Sequence, residues 1–420
     1  MSSPVSDHSL LISAVLQTKF GLQAASVHGI GKAQNNFVYQ IDLPYPILKP
    51  AKSVDTRLKP YISSIPPNTS KFVIRIQKRD VSLENSVRVR NEVAFLALAR
   101  NATSSFRSSI VPLVFEWEDI TSSPGWILEE CMSGEVLCRD DIVALDKEKQ
   151  QFILRQVAQV IKCLQEYRLP DSLTEYGGLT FNGEGKMVST LMTIPCGGPF
   201  HTYAALCRGM CTWQLSASDR SSHIMGWRRN GMRARLDKFF AEGLDQVLTK
   251  ISEDRPTLIH GDFCLPNLLF DKSSFRLTAV LDFDFSHIGS PISEWLFSFW
   301  DLGGILPGSA DPIGPIRSWL LNGFPSDDSI AHDENDDGKE ESTWMITAAW
   351  DKALAEAGVK KPSTIRGAGD TADVWWFSQE ICQPYWFIED LIGKKTPEKL
   401  NEMQMTSEQM LDMYLVQWGY

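Results

Sequence analysis

Three oxygen-bearing side chains fall close together in the stretch Thr257 to Phe285, TLIHGDFCLPNLLFDKSSFRLTAVLDFDF. Asp262 and Asn267 stand five apart in H-G-D-x-x-x-x-N, a spacing at which an Asp can meet an acceptor hydroxyl while the Asn holds Mg²⁺. Gly261 permits the tight backbone there. After Asn267 come an apolar run (Leu268, Leu269, Phe270), a polar turn from Asp271 to Ser274, and an alternating strand with Leu277, Ala279 and Leu281. That hairpin returns Asp282 to the neighbourhood of Asn267. A hard divalent cation prefers oxygen ligands, and one carboxylate with one amide oxygen leaves its other positions to phosphate and water. Each carboxylate alone reads equally as a solvated turn Asp; the joint spacing and strand order carry the phosphoryl-transfer reading.

The segments HGDFCLPNLLFD and AVLDFDFSHIGSP resemble the aminoglycoside phosphotransferase-like small-molecule kinases, specifically their fungal branch. The wider clan includes choline and fructosamine kinases and shares the protein-kinase fold. The resemblance implies an α+β, protein-kinase-like two-lobed fold: a small N-terminal β-sheet lobe (residues 1–132) that binds nucleotide, and a larger helical C-terminal lobe (133–420) for catalysis and acceptor binding. ATP and Mg²⁺ are the implied cofactors, with a small-molecule hydroxyl as acceptor.

The elements that must position this machinery can be followed along the chain. Ser9 to Lys19 is a short candidate helix, and Phe37, Tyr39 and Ile41 alternate as a strand. Gly29 and Gly31 would let backbone N–H groups approach phosphate oxygens, or simply close a hairpin. The resemblance favours the nucleotide-covering loop, with Gln34, Asn35 and Asn36 at its tip. Residues 43–70 hold six prolines and no periodicity, which predicts a long, mobile insertion.

Lys71 to Gln77 alternates cleanly, with Phe72, Ile74 and Ile76 on one face and Val73 with Arg75 on the other. Arg75 stands where the family pattern has a phosphate-binding Lys; a planar fork is not equivalent to a point charge at such a site. Leu83 to Arg100 reads as a helix carrying Glu92, the implied ion-pair partner of Arg75. Strands at 110–117 and 126–130 complete a five-stranded sheet. Glu129 to Gly134 then matches the interlobe hinge of that family, where the Glu130 carbonyl and the Met132 N–H are candidates to bind adenine.

From Asp146 to Tyr167 runs the clearest amphipathic pattern, with Ile153, Val157, Val160, Ile161 and Leu164 forming the buried stripe and Asp146 an N-cap. Cys207 and Cys211, four apart with His201 nearby, read as buried thiols rather than metal ligands because no second ligand pair is visible. Glu294 matches an acidic position near the site, and Trp295, Trp300, Trp375 and Trp376 are candidate walls for an acceptor. Ser326 to Ser342 is polar and acidic, which predicts a solvated loop.

Composition bounds the partners. A net charge of −11 argues against nucleic acid or an anionic membrane surface, no run of 18 apolar residues exists, and eight cysteines without a C-x-x-C pair indicate reduced thiols in the cytoplasm. The oligomeric state is not written in the sequence. The rival to a kinase is a nucleotide-binding pseudokinase or interaction module, motivated by Arg75 and the sparse glycine loop. A protein kinase is disfavoured, because nothing after Asp282 resembles an activation segment closed by A-P-E.

Overall fold

The computed structural model describes residues 4–31, 35–54, 59–79, 83–119, 124–251, 254–311, 314–325, 339–383, 386 and 389–420. Gln34 and residues 326–338 of the acidic segment lie outside these.

Helix α1 (Pro4–Phe20) is followed by β1 (Ser26–Gly29), β2 (Asn36–Asp42), β3 (Lys71–Gln77), α2 (Arg88–Ala102), β4 (Val114–Glu118) and β5 (Trp126–Glu130). The five strands form one antiparallel sheet in the order β1-β2-β3-β5-β4. Alternation sets its two faces. Phe72, Ile74, Ile76, Phe115 and Leu128 pack with Ile12, Val15 and Leu16 of α1 into a core on one side. On the other face Arg75 lies opposite Ile127, and Val73 opposite Glu129.

The prolines of 43–70 do not leave the described part of that insertion loose. Ile47 and Ile65 are buried in the sheet core, Ala51 bridges Ile65, and Leu43 and Ile47 donate to Ser70 and Thr69. Lys59 is buried against Glu116 at 2.9 Å and Glu118 at 3.2 Å. Proline rigidity and a buried, doubly paired ammonium outweigh the lack of periodicity.

Helix α2 begins five residues later than its apolar pattern suggests. The Glu84 carboxylate accepts from the Ser86 N–H and hydroxyl (3.3 and 2.6 Å), and the Glu84 N–H is spent on the Thr193 carbonyl, so the backbone there is committed to a turn.

The second part of the chain contains α3 (Arg139–Val143), α4 (Lys147–Glu166), β6 (Gly178–Phe181), β7 (Met187–Thr190), α5 (Tyr203–Arg220), α6 (Met232–Glu242), α7 (Leu244–Leu248), β8 (Thr257–Ile259), β9 (Leu268–Phe270), β10 (Leu277–Val280) and β11 (His287–Gly289). It ends with α8 (Glu294–Phe297), α9 (Ile316–Asn322), α10 (Lys339–Ala357), α11 (Ala368–Ile381), α12 (Glu389–Ile392) and α13 (Pro397–Gln417). The expected stripe of α4 is buried, and Asp146 caps it by accepting from the Lys149 N–H at 2.9 Å. Its core is continuous with the inner side of α2 through Val93, Phe95 and Leu96, so the first helix after β3 belongs energetically to the helical part. The result is an α+β, two-lobed kinase-like architecture. Among the described residues no helix is long and apolar enough to cross a membrane.

Candidate active site

Two antiparallel pairings bring the site together. β8 pairs with β11 and delivers His260-Gly261-Asp262 at its end, while the β9–β10 hairpin sets Leu268 opposite Val280 and thus Asn267 beside Leu281. The Leu281 N–H donates to the Asn267 carbonyl at 2.8 Å, which places Asp282 directly after that contact. Gly261 has φ +81°, and a Cβ there would lie 2.4 Å from the Phe285 carbonyl, so only glycine fits between the two turns.

The loop carrying Asp262 is held from beneath by buried acceptors. Glu294 accepts from the His260 N–H (2.9 Å), the Gly261 N–H (3.0 Å) and the Ser298 hydroxyl (2.5 Å). Ser298 in turn accepts from the Phe263 N–H at 2.8 Å, and Asp301 from the Leu265 N–H at 2.5 Å. Glu294 is therefore a buried cap on the loop that carries Asp262, its pKa raised by burial, with its carboxylate spent on that loop and on Ser298. His260 Nδ1 accepts from the Asp262 N–H at 3.3 Å, leaving Nε2–H to donate to the Leu281 carbonyl at 3.0 Å. Burial pushes this ring down to about 4, so it is neutral in the folded chain.

Asn267 packs against Asp262, and Asp282 follows Leu281, which is bonded to Asn267. The Asn267 amide N–H₂ donates to the Asp262 carbonyl (2.8 Å) and carboxylate (3.1 Å), which leaves the Asn267 amide oxygen as the atom able to face a cation. Burial, reinforced by the charge of Asp282, pushes the Asp262 carboxyl up to about 7, against the pull of hydrogen bonds from Asn267 and Cys264. Asp282 adopts φ +64°, a left-handed conformation that Asp tolerates better than most residues. Its side chain remains 36% exposed.

Arg75 crosses from β3 to reach this point. Its Nη2 lies 2.5 Å from Asp282 Oδ1 and 3.1 Å from Glu92 Oε1. Burial would raise the Asp282 carboxyl, but the charge and hydrogen bond of Arg75 hold it below the usual range. Burial lifts Glu92 well above an ordinary carboxylate, and pushes Glu129 up to about 7 on the same face of the sheet. Arg75 Nε is buried and has no partner, a donor left over for a ligand or water.

The donor set fits Mg²⁺. One oxygen of Asp282 and the Asn267 amide oxygen are hard donors, and two protein ligands suffice when phosphates and water complete the shell. Among the described residues no group of three or more His, Cys, Asp or Glu forms a metal cage. Cys207 and Cys211 are buried thiols, with burial pushing Cys211 up to about 12, and His201 is exposed against Glu175.

The hinge candidates sit at the end of β5. The Glu130 N–H donates to the Leu113 carbonyl at 2.8 Å and its carboxylate accepts from the Leu113 N–H at 3.1 Å, tying the strand end to the approach of β4. Met132 follows, half-buried. Of the four tryptophans, Trp295 is core and Trp375 packs on Phe297 at 4.2 Å. The Trp376 indole N–H donates to the Leu306 carbonyl at 2.8 Å. Trp300 stands 55% exposed beside Asp301, on a turn whose Phe299 N–H donates to the Phe263 carbonyl.

Asn35 and Asn36 are placed at the base of the glycine turn, not at its tip. The Asn35 carbonyl accepts from the Lys78 N–H (3.0 Å) and from Arg88 (3.2 Å). The buried Asn36 side chain donates to Asp284 at 3.3 Å and accepts from Arg88 at 3.2 Å. Arg88 and Asp284 belong to no motif legible in the sequence, and neither does Asn91, which donates to the Ser286 carbonyl at 2.9 Å. Residues 88, 91 and 92 lie at i, i+3, i+4, so they share one helix face. Polar residues recurring at that step beside an apolar stripe were the available signal.

Compared with known families, residues 66–312 match the model described as Phosphotransferase enzyme family. A stretch of 53 residues is 43% identical to Acyl-CoA dehydrogenase family member 11 of Homo sapiens and of Pongo abelii; it is 12% of this chain and spans only 7% of the length of those curated relatives. Among solved structures, the ADP-bound aminoglycoside phosphotransferase APH(2'')-Ib is 14% identical with a TM-score of 0.49, covering 99% of both chains. The streptomycin–ATP ternary complex of APH(2'')-IIa is 13% identical with a TM-score of 0.49, covering 98% of both.

Proposed function

The chain belongs to the phosphotransferase enzyme family, and from that premise we propose that it moves the γ-phosphate of MgATP to a hydroxyl of a small molecule. The observation that carries this reading is the convergence of Asp262, Asn267 and Asp282, with the Asn267 amide bonded to Asp262 at 3.1 Å and the hairpin returning Asp282 beside it.

In this reading Asp262 accepts a hydrogen bond from the acceptor hydroxyl, aims its lone pair in line with the γ-phosphorus, and takes the proton late, since the transition state is loose and asks little basicity. A carboxyl pushed up to about 7 suits that role. Asn267 and Asp282 would hold Mg²⁺, which would supply positive charge against the phosphates. Arg75, kept in register by Glu92, pairs with the α- and β-phosphates; its Nη2 already sits between two carboxylates 3.1 Å and 2.5 Å away. The Glu130 carbonyl and Met132 N–H take the adenine edge, and Gln34, Asn35 and Asn36 belong to the loop that covers the phosphates. The lobes divide near residue 132. Eight unpaired thiols support a reducing, cytoplasmic setting.

A nucleotide-binding pseudokinase is the second reading, favoured by one contact: Arg75 occupies the carboxylate that would hold the metal. ATP consumption measured against a library of hydroxylated metabolites and aminoglycosides, with Asp262→Asn as control, separates the two. Acceptor-dependent turnover that vanishes in Asp262→Asn supports transfer; MgATP binding without turnover on any acceptor supports the pseudokinase.

A further inference from the structure

Arg88 is fully buried and makes hydrogen bonds to Asn35 and Asn36 of the nucleotide loop, yet none to Asp262, Asn267 or Asp282. Its side chain is 0% exposed and that of Asp284 2%. The guanidinium grips Asp284 as a fork, Nε to Oδ1 at 3.1 Å and Nη2 to Oδ2 at 2.8 Å. The same Nη2 donates to the Asn35 carbonyl and the Asn36 side-chain oxygen, both at 3.2 Å. Nη1 donates to the Lys78 carbonyl at 3.1 Å and the Asn85 side chain at 3.2 Å. One planar group thus joins the base of the glycine turn, the end of β3, the start of α2 and the Asp282–Phe283–Asp284 turn. Lysine could not do this, because the contacts need donors fixed in one plane.

The consequence follows from chain geometry. Asp284 is two residues from Asp282, with Phe283 between them driven into the core and its ring 4.6 Å from His260. Clamping Asp284 and burying Phe283 leaves Asp282 little freedom to shift except with the glycine turn. Asn36 closes the link from the other side by donating to Asp284 at 3.3 Å.

We propose that Arg88, Asp284 and Asn36 form a positioning relay that couples the nucleotide loop to the metal-holding carboxylate, so that loop placement and cation binding are one event. Arg88 is here a positioning residue, and Asn36 acts through it. The proposal rests on the phosphotransfer reading for its benefit to the enzyme, but the mechanical link exists without it.

The test is equilibrium binding of ADP with and without Mg²⁺, read by titration calorimetry on wild type, Asn36→Ala, Asp284→Asn and the double variant, with a melting curve for each. Asn36→Ala leaves the Arg88–Asp284 fork paired and is the variant expected to stay folded. It should reduce the Mg²⁺-dependent gain in ADP affinity by about tenfold, with Mg²⁺-free ADP binding changed less, and the double variant should be no worse than Asp284→Asn alone. A relay that is only a packing brace gives a lower Tm, an unchanged Mg²⁺-dependent gain and additive effects, and overturns the proposal. Amide exchange at residues 35–38 in Asp284→Asn reads the link without nucleotide: faster exchange than wild type supports it, and unchanged exchange overturns it. Wild type that binds no ADP sinks the phosphotransfer reading, while the exchange arm still decides the link.

Discussion

Two aspartates two residues apart, Asp282 and Asp284, should fail in opposite ways when truncated. Asp282 is 36% exposed on its side chain, and its buried partner Arg75 keeps Glu92 as a second counter-charge, so Asp282→Ala strands no charge and costs about 1 kcal/mol. Asp284 is buried in a fork with a fully buried Arg88. Asp284→Ala strands that guanidinium, and breaking one side of a buried pair costs about 3–5 kcal/mol. For 420 residues unfolding as one unit, an entropy of about 2.1 cal/mol/K per residue converts roughly 0.9 kcal/mol into one degree. Asp284→Ala should therefore melt about 3–6 °C lower than wild type, and Asp282→Ala within about 1 °C of it. Binding should invert the order: Asp282→Ala abolishes the Mg²⁺-dependent part of ADP affinity, whereas folded Asp284→Ala keeps a weakened part. Differential scanning fluorimetry and calorimetric ADP titrations with and without Mg²⁺ give both numbers on the same samples. An Asp282→Ala protein that retains the full Mg²⁺ increment would refute the ligand assignment, and with it the reading of the hairpin.

Arg75→Ala should lower kcat/KM by roughly 10- to 100-fold, the loss of a charge-assisted contact of about 1.5–3 kcal/mol. Arg75→Lys should recover much of that while Glu92 remains to position it, and unchanged kinetics in Arg75→Ala would exclude the clamp. Glu294→Ala strips three buried donors of their acceptor, so kcat should fall at least tenfold while ADP affinity stays within about threefold; a Kd that rises in step with the fall in kcat would place Glu294 at the nucleotide instead. His260 is held neutral at about 4 against 6.5 when unfolded, so its contribution is present above pH 6.5 and fades as pH drops toward 4, where the unfolded chain takes up the proton first. The Tm advantage of wild type over His260→Asn should accordingly shrink across that window, and a constant difference from pH 7.5 to 4.5 would show that the ring is not buried neutral.

What the sequence made legible depended on the range of each interaction. Asp262, Asn267 and Asp282 were readable because a short hairpin fixes their spacing locally, and one turn of periodicity suffices to return the chain. Phe72, Ile74 and Ile76 declared their face of β3 by alternation alone. The insertion at 43–70 misled because its order comes from distant partners: Lys59 finds Glu116 and Glu118 across 57 and 59 residues, a pairing that no local pattern announces.

The Arg88 relay shows the same limit at the site itself. Its contacts with Asp284 span 196 residues and those with Asn36 span 52, so each member reads singly as an ordinary surface residue, and only the fold supplies the partner. Desolvation makes such a cluster decisive, since a buried guanidinium without its fork costs several kcal/mol and with it fixes four segments at once. The spacing of Asp262, Asn267 and Asp282 therefore marks the candidate atoms for chemistry, whereas their mutual placement is set by polar residues whose types carry no chemical signature of their own. Asn36 is the sharpest case. Its position in the proposed nucleotide loop invited a direct role on phosphate, yet burial and two hydrogen bonds to Asp284 and Arg88 commit its amide to the protein, and under the relay proposed above its influence on nucleotide would run through the placement of Asp282.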